Sequence, residues 1–391
     1  MSPRHHAWLI SAYYFFFFGA IGCLLPYLPL YYEHIGLGGE QIGLLSGLAP
    51  IVLLIAGPTW GGLGDHFNLH RRLLPLASAG VILPALLISQ AGTLPLLVIL
   101  ILLQSFFSTA IGPLADSAAL EISQSSQNSF GRLRVWGSVG FTLISAAMGW
   151  MLTFLPLQWL FYGYAACMAG CVLVALPLPA RQHQWRAPLG QGFRQLLGQP
   201  ALTLLLGACF LIGVAVTAVA YFFPLYIREI GGDAALIGLA GAVGAIAEMP
   251  VLFRGEWMLK RVGGAWAGVA IGAAVYTMRW FLLSSAATPA AILLLQLSHS
   301  LSFGFFLIAS IVYVDSLAPK GLSATAQSLL IAATWGLGAV AGAWGGGLVF
   351  ANYGSRTLFQ AAGLATLLAF GLLLVLRYIT RQTSNDTSLL V

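Results

Sequence analysis

From Leu236 to Phe253 every side chain is apolar or small except one, the carboxylate of Glu248. Two other ionisable groups stand in comparable surroundings: Arg279, between Tyr276 and Trp280, and His299, between Gln296 and Ser300. A charge inside an apolar run of this length is costly, and it is kept where it faces protein or water and finds a partner. A buried carboxylate is driven toward its neutral form, and a nearby cation drives it back toward the ionised one. An acid that alternates between two such surroundings therefore loads and releases a proton. At ~1.5 Å rise per residue, Glu248 lies about 18 Å and His299 about 15 Å from one end of their runs. Arg279 lies only about 8 Å from its nearer end, so its guanidinium must reach inward.

The elements that must hold these groups follow from composition. The chain has 391 residues, 59% hydrophobic and only 7% charged, with a mean hydropathy of +0.90. A soluble domain carries about 25% charged residues, so the chain reads as an all-α integral membrane protein. Long continuous apolar runs argue against a barrel of ten-residue alternating strands. Twelve runs of about 20 apolar residues can be counted, at 8–32, 40–62, 73–91, 94–120, 134–154, 158–177, 200–227, 236–254, 264–284, 289–314, 322–350 and 357–378. The first is too long for a signal peptide's apolar core and lacks a small-residue cleavage site, so it is retained as a span. With both termini cytoplasmic, 14 of the 17 Lys and Arg fall inside, as the positive-inside rule requires of an inner, or cell, membrane protein. The net charge of +6 is spread through short loops, which leaves no basic domain for nucleic acid. Cys23, Cys167, Cys171 and Cys209 all fall in apolar runs and read as packing residues, with no metal site expected. Glu248, Arg279 and His299 thus read as the core of a solute pathway across the membrane.

The longest polar connection, 179–199, divides the chain into a bundle of six spans at 1–178 and a second at 200–391. A shift of 195 residues superposes Pro29-Leu-Tyr31 on Pro224-Leu-Tyr226, Ile35-Gly36 on Ile230-Gly231, and Ile42-Gly-Leu44 on Ile237-Gly-Leu239. Duplicated six-span halves imply a midplane binding site with the halves rocking around it. Over its whole length the chain resembles the major facilitator superfamily. That family carries a loop motif of the form G-x-L-x-D-[RK]-x-G after its second span. Gly61-Gly-Leu-Gly-Asp65-His66 matches it loosely, with His66 and Asn68 replacing the usual basic residue and glycine. Asp65, with Arg71 and Arg72, is then either a helix-end charge or a cytoplasmic latch that closes in one state only. Glycines at spacings of three or four, such as Gly238, Gly241 and Gly244, allow close helix approach.

The segment Phe130-Gly-Arg-Leu-Arg134-Val-Trp136-Gly-Ser-Val-Gly-Phe141 resembles the opening of the fifth span in the oligosaccharide–proton symporters of that superfamily. Versions with Trp-Gly at this point occur in the nucleoside–proton symporters and phenylpropionate permeases. The resemblance implies that Arg134 and Asp116, 18 residues earlier, bind solute hydroxyls, and that Phe141 stacks on a ring. The chemistry fits: a guanidinium fork beside a carboxylate donates to and accepts from vicinal hydroxyls at once. A structural salt bridge is the competing reading. Tyr13, Tyr14, Gln104 and Gln327 are further candidates for lining the solute cavity. The resemblance extends to Glu248, Arg279 and His299, which fall where the oligosaccharide branch has its glutamate, arginine and histidine. That branch carries its proton on an acid three residues after the histidine, and here that position is Ser302. Proton coupling would therefore fall to Glu248, with Arg279 and His299 around it.

These features point to secondary active transport, most specifically proton symport of a glycoside or nucleoside by alternating access. An aromatic carboxylate is the alternative solute, and an uncoupled facilitator or an exporter the alternative mode. Val135 to Met151 contains no proline, which argues against the G-P-x-x-G-G stretch of proton-driven exporters. The loops carry no paired His ligands, no G-x-S-x-G and no phosphate-binding glycine loop, so an enzyme is not expected. The expected partners are a small-molecule solute and the lipid bilayer, with the proton as coupling ion, no cofactor, and a monomer as the working unit.

Overall fold

The computed structural model describes residues 3–67, 72–126, 130–178, 191–319 and 321–388. Arg71 and Lys320 lie outside the described residues, as does the side chain of Asp65. Two of the three latch candidates therefore carry no structural account. Arg72 is exposed at the start of a helix.

The described chain is almost entirely helical. In order the helices are α1 (Pro3–Leu24), α2 (Leu28–His34), α3 (Gly39–Phe67), α4 (Leu73–Gly80), α5 (Ile82–Ile88), α6 (Leu94–Ser126), α7 (Phe130–Met151) and α8 (Trp159–Ala175). They continue with α9 (Gln191–Leu197), α10 (Pro200–Glu229), α11 (Ala234–Val262), α12 (Ala265–Ser285), α13 (Pro289–Leu297), α14 (Phe305–Leu317), α15 (Ser323–Ile331) and α16 (Ala339–Ser388). Among the described residues eight helical stretches are long and apolar enough to cross a membrane. One of them, Ser323–Gln382, is 60 residues long and breaks at Gly354, so it supplies two of the expected spans. Leu73–Ile88 and Trp159–Ala175 are shorter apolar helices. The remaining expected span, α7, is 22 residues long and carries Arg132 and Arg134 in its first turns. The chain has the all-α major facilitator fold.

The sequence repeat reappears in backbone geometry. Gly36 and Gly231, equivalent under the 195-residue shift, have φ of 88° and 82°. An L side chain pays for that region and glycine does not, so the same residue ends the same turn in each repeat. Span ten is α13 and α14 joined by a π-helical turn, Ser300–Gly304. A second π-helical turn, Ala332–Gly338, joins α15 to α16. Such turns are rare and recur at functional sites.

The packing units do not part where the sequence repeat does. One compact unit comprises Met1–Arg186 and Phe223–Ile246, the other Ala187–Phe222 and Ala247–Val391. The segment 223–246 belongs to the first unit because its backbone packs closely there. A Cβ on Gly238 would stand 2.5 Å from Tyr27 Oη and 2.9 Å from the Ser145 carbonyl oxygen, and one on Gly149 2.5 Å from the Ala234 carbonyl oxygen. Tyr27 donates to that same Ser145 carbonyl at 2.7 Å. Arg228 and Glu33, also equivalent under the repeat, form an ion pair of 2.7 Å in this unit.

Candidate functional site

Among the described residues the predicted ionisable side chains gather at two places, one in each unit. In the first, α1, α6 and α7 converge on Asp116. Tyr14 donates to Asp116 Oδ1 at 2.7 Å, and Arg134 Nε stands 3.8 Å from the same oxygen. The Arg134 guanidinium lies over the Phe18 ring at 4.0 Å and beside the Tyr14 ring at 5.2 Å. Stacking consumes the face of the guanidinium and leaves its N–H edge available. Gly137, one turn along α7, makes room for this arrangement, since a Cβ there would stand 2.6 Å from Phe18 and 3.0 Å from Arg134 Nη1. The side chains of Arg134 and Asp116 remain 36% and 48% exposed, so both keep hydrogen-bonding capacity that protein does not fill.

The structure distributes the other candidates of this unit unevenly. Tyr14 is in the cluster, whereas Tyr13 is fully buried and shares a 2.8 Å hydrogen bond with Ser78 Oγ. Ser78 donates its one proton to the Leu74 carbonyl, so Tyr13 is the donor, and its hydroxyl is committed to packing rather than to solute. Tyr13 therefore leaves the solute-binding set. Gln104 is half-buried on α6, near the Tyr164 side chain. Phe141 lies two turns beyond Arg134, about 10 Å along α7, with its ring edge facing Gly241. Phe18 and Tyr14 are the rings against Arg134. Phe18 was visible only as one of four consecutive phenylalanines, which point all round a helix.

In the second unit Glu248, Arg279 and His299 come together from α11, α12 and the start of the π-helical turn after α13. Arg279 Nη1 donates to His299 Nδ1 at 2.9 Å, and His299 Nε2 faces Glu248 Oε2 at 4.0 Å. A guanidinium has only donors, so Nδ1 must present a lone pair and the ring proton sits on Nε2, toward the carboxylate. A second proton on His299 would break the Arg279 bond and set two cations side by side. Arg279 is 4% exposed. It also donates through Nη2 to Gln296 Oε1 and through Nη1 to Ser302 Oγ at 3.4 Å. His299 and Glu248 are 28% and 14% exposed.

Three members of this cluster were not singled out from sequence. Gln296 is an amide one turn before His299 in an otherwise apolar run, and that oddity was a legible signal. Phe303 stacks flat on His299 at 5.1 Å between ring centres, and Trp335 leans on Phe303 at 6.1 Å. Phe303 and Trp335 belong to the two π-helical turns, which ties both irregular segments to the histidine. Ser302, at the position of the missing acid, is fully buried and bonds back to the Ser298 carbonyl at 3.1 Å. Gln327 is spent on the Ile311 carbonyl at 2.8 Å. No group of three or more metal-ligating His, Cys, Asp or Glu occurs among the described residues.

The profile of the MFS_1 like family matches residues 7–361. A maltose permease of Geobacillus stearothermophilus is 32% identical over 340 residues, covering 84% of this chain and 83% of that protein. A probable 3-phenylpropionic acid transporter of Escherichia coli is 25% identical, covering 78% of this chain and 81% of that one. The crystal structure of the nucleoside transporter NupG superposes with a TM-score of 0.81 at 18% identity, covering 95% of this chain and 98% of that one.

Proposed function

The chain belongs to the MFS_1 like family of multi-pass membrane transporters of small molecules, and we propose that it couples uptake of a glycoside to the inward movement of protons by alternating access. Both termini are cytoplasmic in this reading, in the inner, or cell, membrane, and the chain works as a monomer. The observation that carries the coupling is the Arg279–His299–Glu248 series. Arg279 fixes His299 in its neutral form and turns the ring proton toward Glu248. Glu248 is then the one member free to change protonation. Ionised, it faces the His299 Nε2–H at 4.0 Å; protonated, it loses that attraction and leaves the Arg279 charge uncompensated inside the bundle, a costly arrangement. Solute and proton bound together relieve what either alone does not, which is the coupling free energy that symport needs.

Solute recognition falls to Asp116 and Arg134, with Tyr14 holding the carboxylate and Phe18 holding the guanidinium plane. The half-exposed acceptor and donor match vicinal hydroxyls, and the maltose permease relative supports a sugar over a nucleoside. Phe141 and Gln104 remain candidates for the walls of this site. An aromatic carboxylate would need a free cation. Arg134 already faces Asp116, and Arg279 is nearly sealed. Asp116→Asn separates the two solutes: it weakens a hydroxylated ligand and leaves a carboxylate ligand bound as well or better. The test is solute uptake by proteoliposomes over a panel of glycosides, nucleosides and aryl carboxylates, with and without an inward-acid gradient. Glycoside accumulation driven by the gradient is expected, and accumulation indifferent to it would reject the coupling.

A further inference from the structure

The ends of α11 and α16 and the start of α12 form a basic patch that neither group of the candidate site uses. Between 254 and 266 and between 371 and 382 the sequence has Arg254, Lys260, Arg261, Arg377 and Arg381, against Glu256 as the one acid. Two of these cations are held on indole faces. The Arg261 guanidinium lies over Trp257 at 4.3 Å and that of Arg377 over Trp266 at 4.0 Å. Trp266 is itself fixed, because its Nε1 donates to the Leu373 carbonyl of α16 at 2.9 Å. The turn between α11 and α12 is tight: Gly263 and Gly264 have φ of 102° and 91°, and the Gly264 N–H bonds back to the Leu259 carbonyl at 2.8 Å. Those glycines turn the chain sharply between Arg261, at the end of α11, and Trp266, at the start of α12. Gly264 puts no side-chain cap on α12, so the positive end of a 21-residue helix adds to the patch. The side chain of Glu256 is not among those described, and among the described side chains no ion pair is formed by Lys260, Arg261 or Arg377.

The side of the patch decides its ligand. Phe253 and Trp257, on either side of a kink at Arg254 in α11, are 62% and 52% exposed, and Leu374 and Val375 beside Arg377 are 47% and 48% exposed. Exposed apolar side chains beside stacked cations suit the surface at which a bilayer meets water. The positive-inside pattern assigns that surface to the cytoplasmic leaflet. A guanidinium stacked on a Trp keeps its N–H edge free for phosphate oxygens.

We propose that Arg261 on Trp257 and Arg377 on Trp266, with the uncapped start of α12 between them, bind the headgroup of an anionic phospholipid of the inner leaflet. The acyl chains lie along the apolar flank of α11 and α16, which free phosphate cannot do. The bound lipid bridges the ends of α11, α12 and α16, adding to the Gly263–Gly264 turn and the Trp266 hydrogen bond.

The test uses the full-length protein in neutral detergent, with its thermal midpoint read on adding phosphatidylglycerol, phosphatidylcholine or inorganic phosphate. Phosphatidylglycerol is expected to raise the midpoint by about 5 °C, the behaviour of a ligand that binds the folded state, and the other two to leave it unchanged. The double variant Arg261→Gln, Arg377→Gln should lose most of that rise. The double variant Arg72→Gln, Arg194→Gln removes as much charge elsewhere and should keep it. Equal loss in both, or a full rise in Arg261→Lys, Arg377→Lys, would mean a diffuse basic belt and overturn the site. A rise with phosphate alone, or an equal rise with phosphatidylcholine, would overturn the lipid assignment.

Discussion

His299 can hold one proton but not two while Arg279 donates to its Nδ1, and this single hydrogen bond organises the chemistry of the second unit. In the proposed mechanism Glu248 is then the group whose charge changes. Glu248→Gln is therefore expected to abolish accumulation against a gradient while sparing solute exchange, since exchange needs no net proton movement. Gln296→Leu would strand a second edge of a nearly sealed guanidinium. An unsatisfied buried donor of this kind costs about 1–3 kcal/mol, so a lowered thermal midpoint is expected, together with impaired coupling. In the first unit Asp116→Asn exchanges a charged acceptor for a neutral one. Charge-assisted bonds are worth about 1.5–3 kcal/mol, so glycoside affinity should fall by roughly one to two orders of magnitude in a binding titration. The ionisable members of both groups were legible in the sequence because charges inside apolar runs announce themselves. Tyr13 and Tyr14 were not separable, because neighbours on a helix point about 100° apart and nothing local says which direction is core. Phe18, Phe303 and Trp335 were hidden for a related reason: aromatics are abundant on every face of a membrane helix.

Helices set which of these residues meet. Among the spans, lengths and order followed from the apolar runs, whereas the two π-helical turns did not. A π turn differs from an α turn by one shift of hydrogen-bond partner, and Ser300–Gly304 and Ala332–Gly338 carry no compositional mark beyond small residues. The glycine spacing suggested that α11 approaches neighbouring backbone closely, but spacing could not say which glycine sits at the contact. The structure separates them. A Cβ on Gly238 meets Tyr27 Oη at 2.5 Å and the Ser145 carbonyl at 2.9 Å, while one on Gly241 finds its nearest neighbours at 3.9 Å. Gly238→Ala should lower the thermal midpoint and slow transport, with overpacking worth about 1–3 kcal/mol. Gly241→Ala should change neither. The Glu33–Arg228 pair links the ends of α2 and α10 at 2.7 Å with both side chains about half exposed. Exposed pairs contribute about 0.2–1 kcal/mol. A double-mutant cycle with Glu33→Gln and Arg228→Gln should return a coupling of that size that fades with added salt; a coupling independent of salt would contradict the assignment.

At the level of the whole molecule, the 195-residue repeat and the membrane class were readable from sequence, and the packing units were not. The repeat records how the chain arose, whereas the units record which backbones now touch, and Phe223–Ile246 packs with the first unit although it belongs to the second repeat. The account's central claim is that one carboxylate, Glu248, links solute movement to proton movement. The most direct test is uptake of a transported glycoside into proteoliposomes, comparing the parent with Glu248→Gln, each with and without an imposed inward-acid gradient. The account predicts gradient-driven accumulation above the outside concentration in the parent, and equilibration or exchange only in the variant. Uphill uptake that survives in Glu248→Gln, or parent uptake that ignores the gradient, would contradict it.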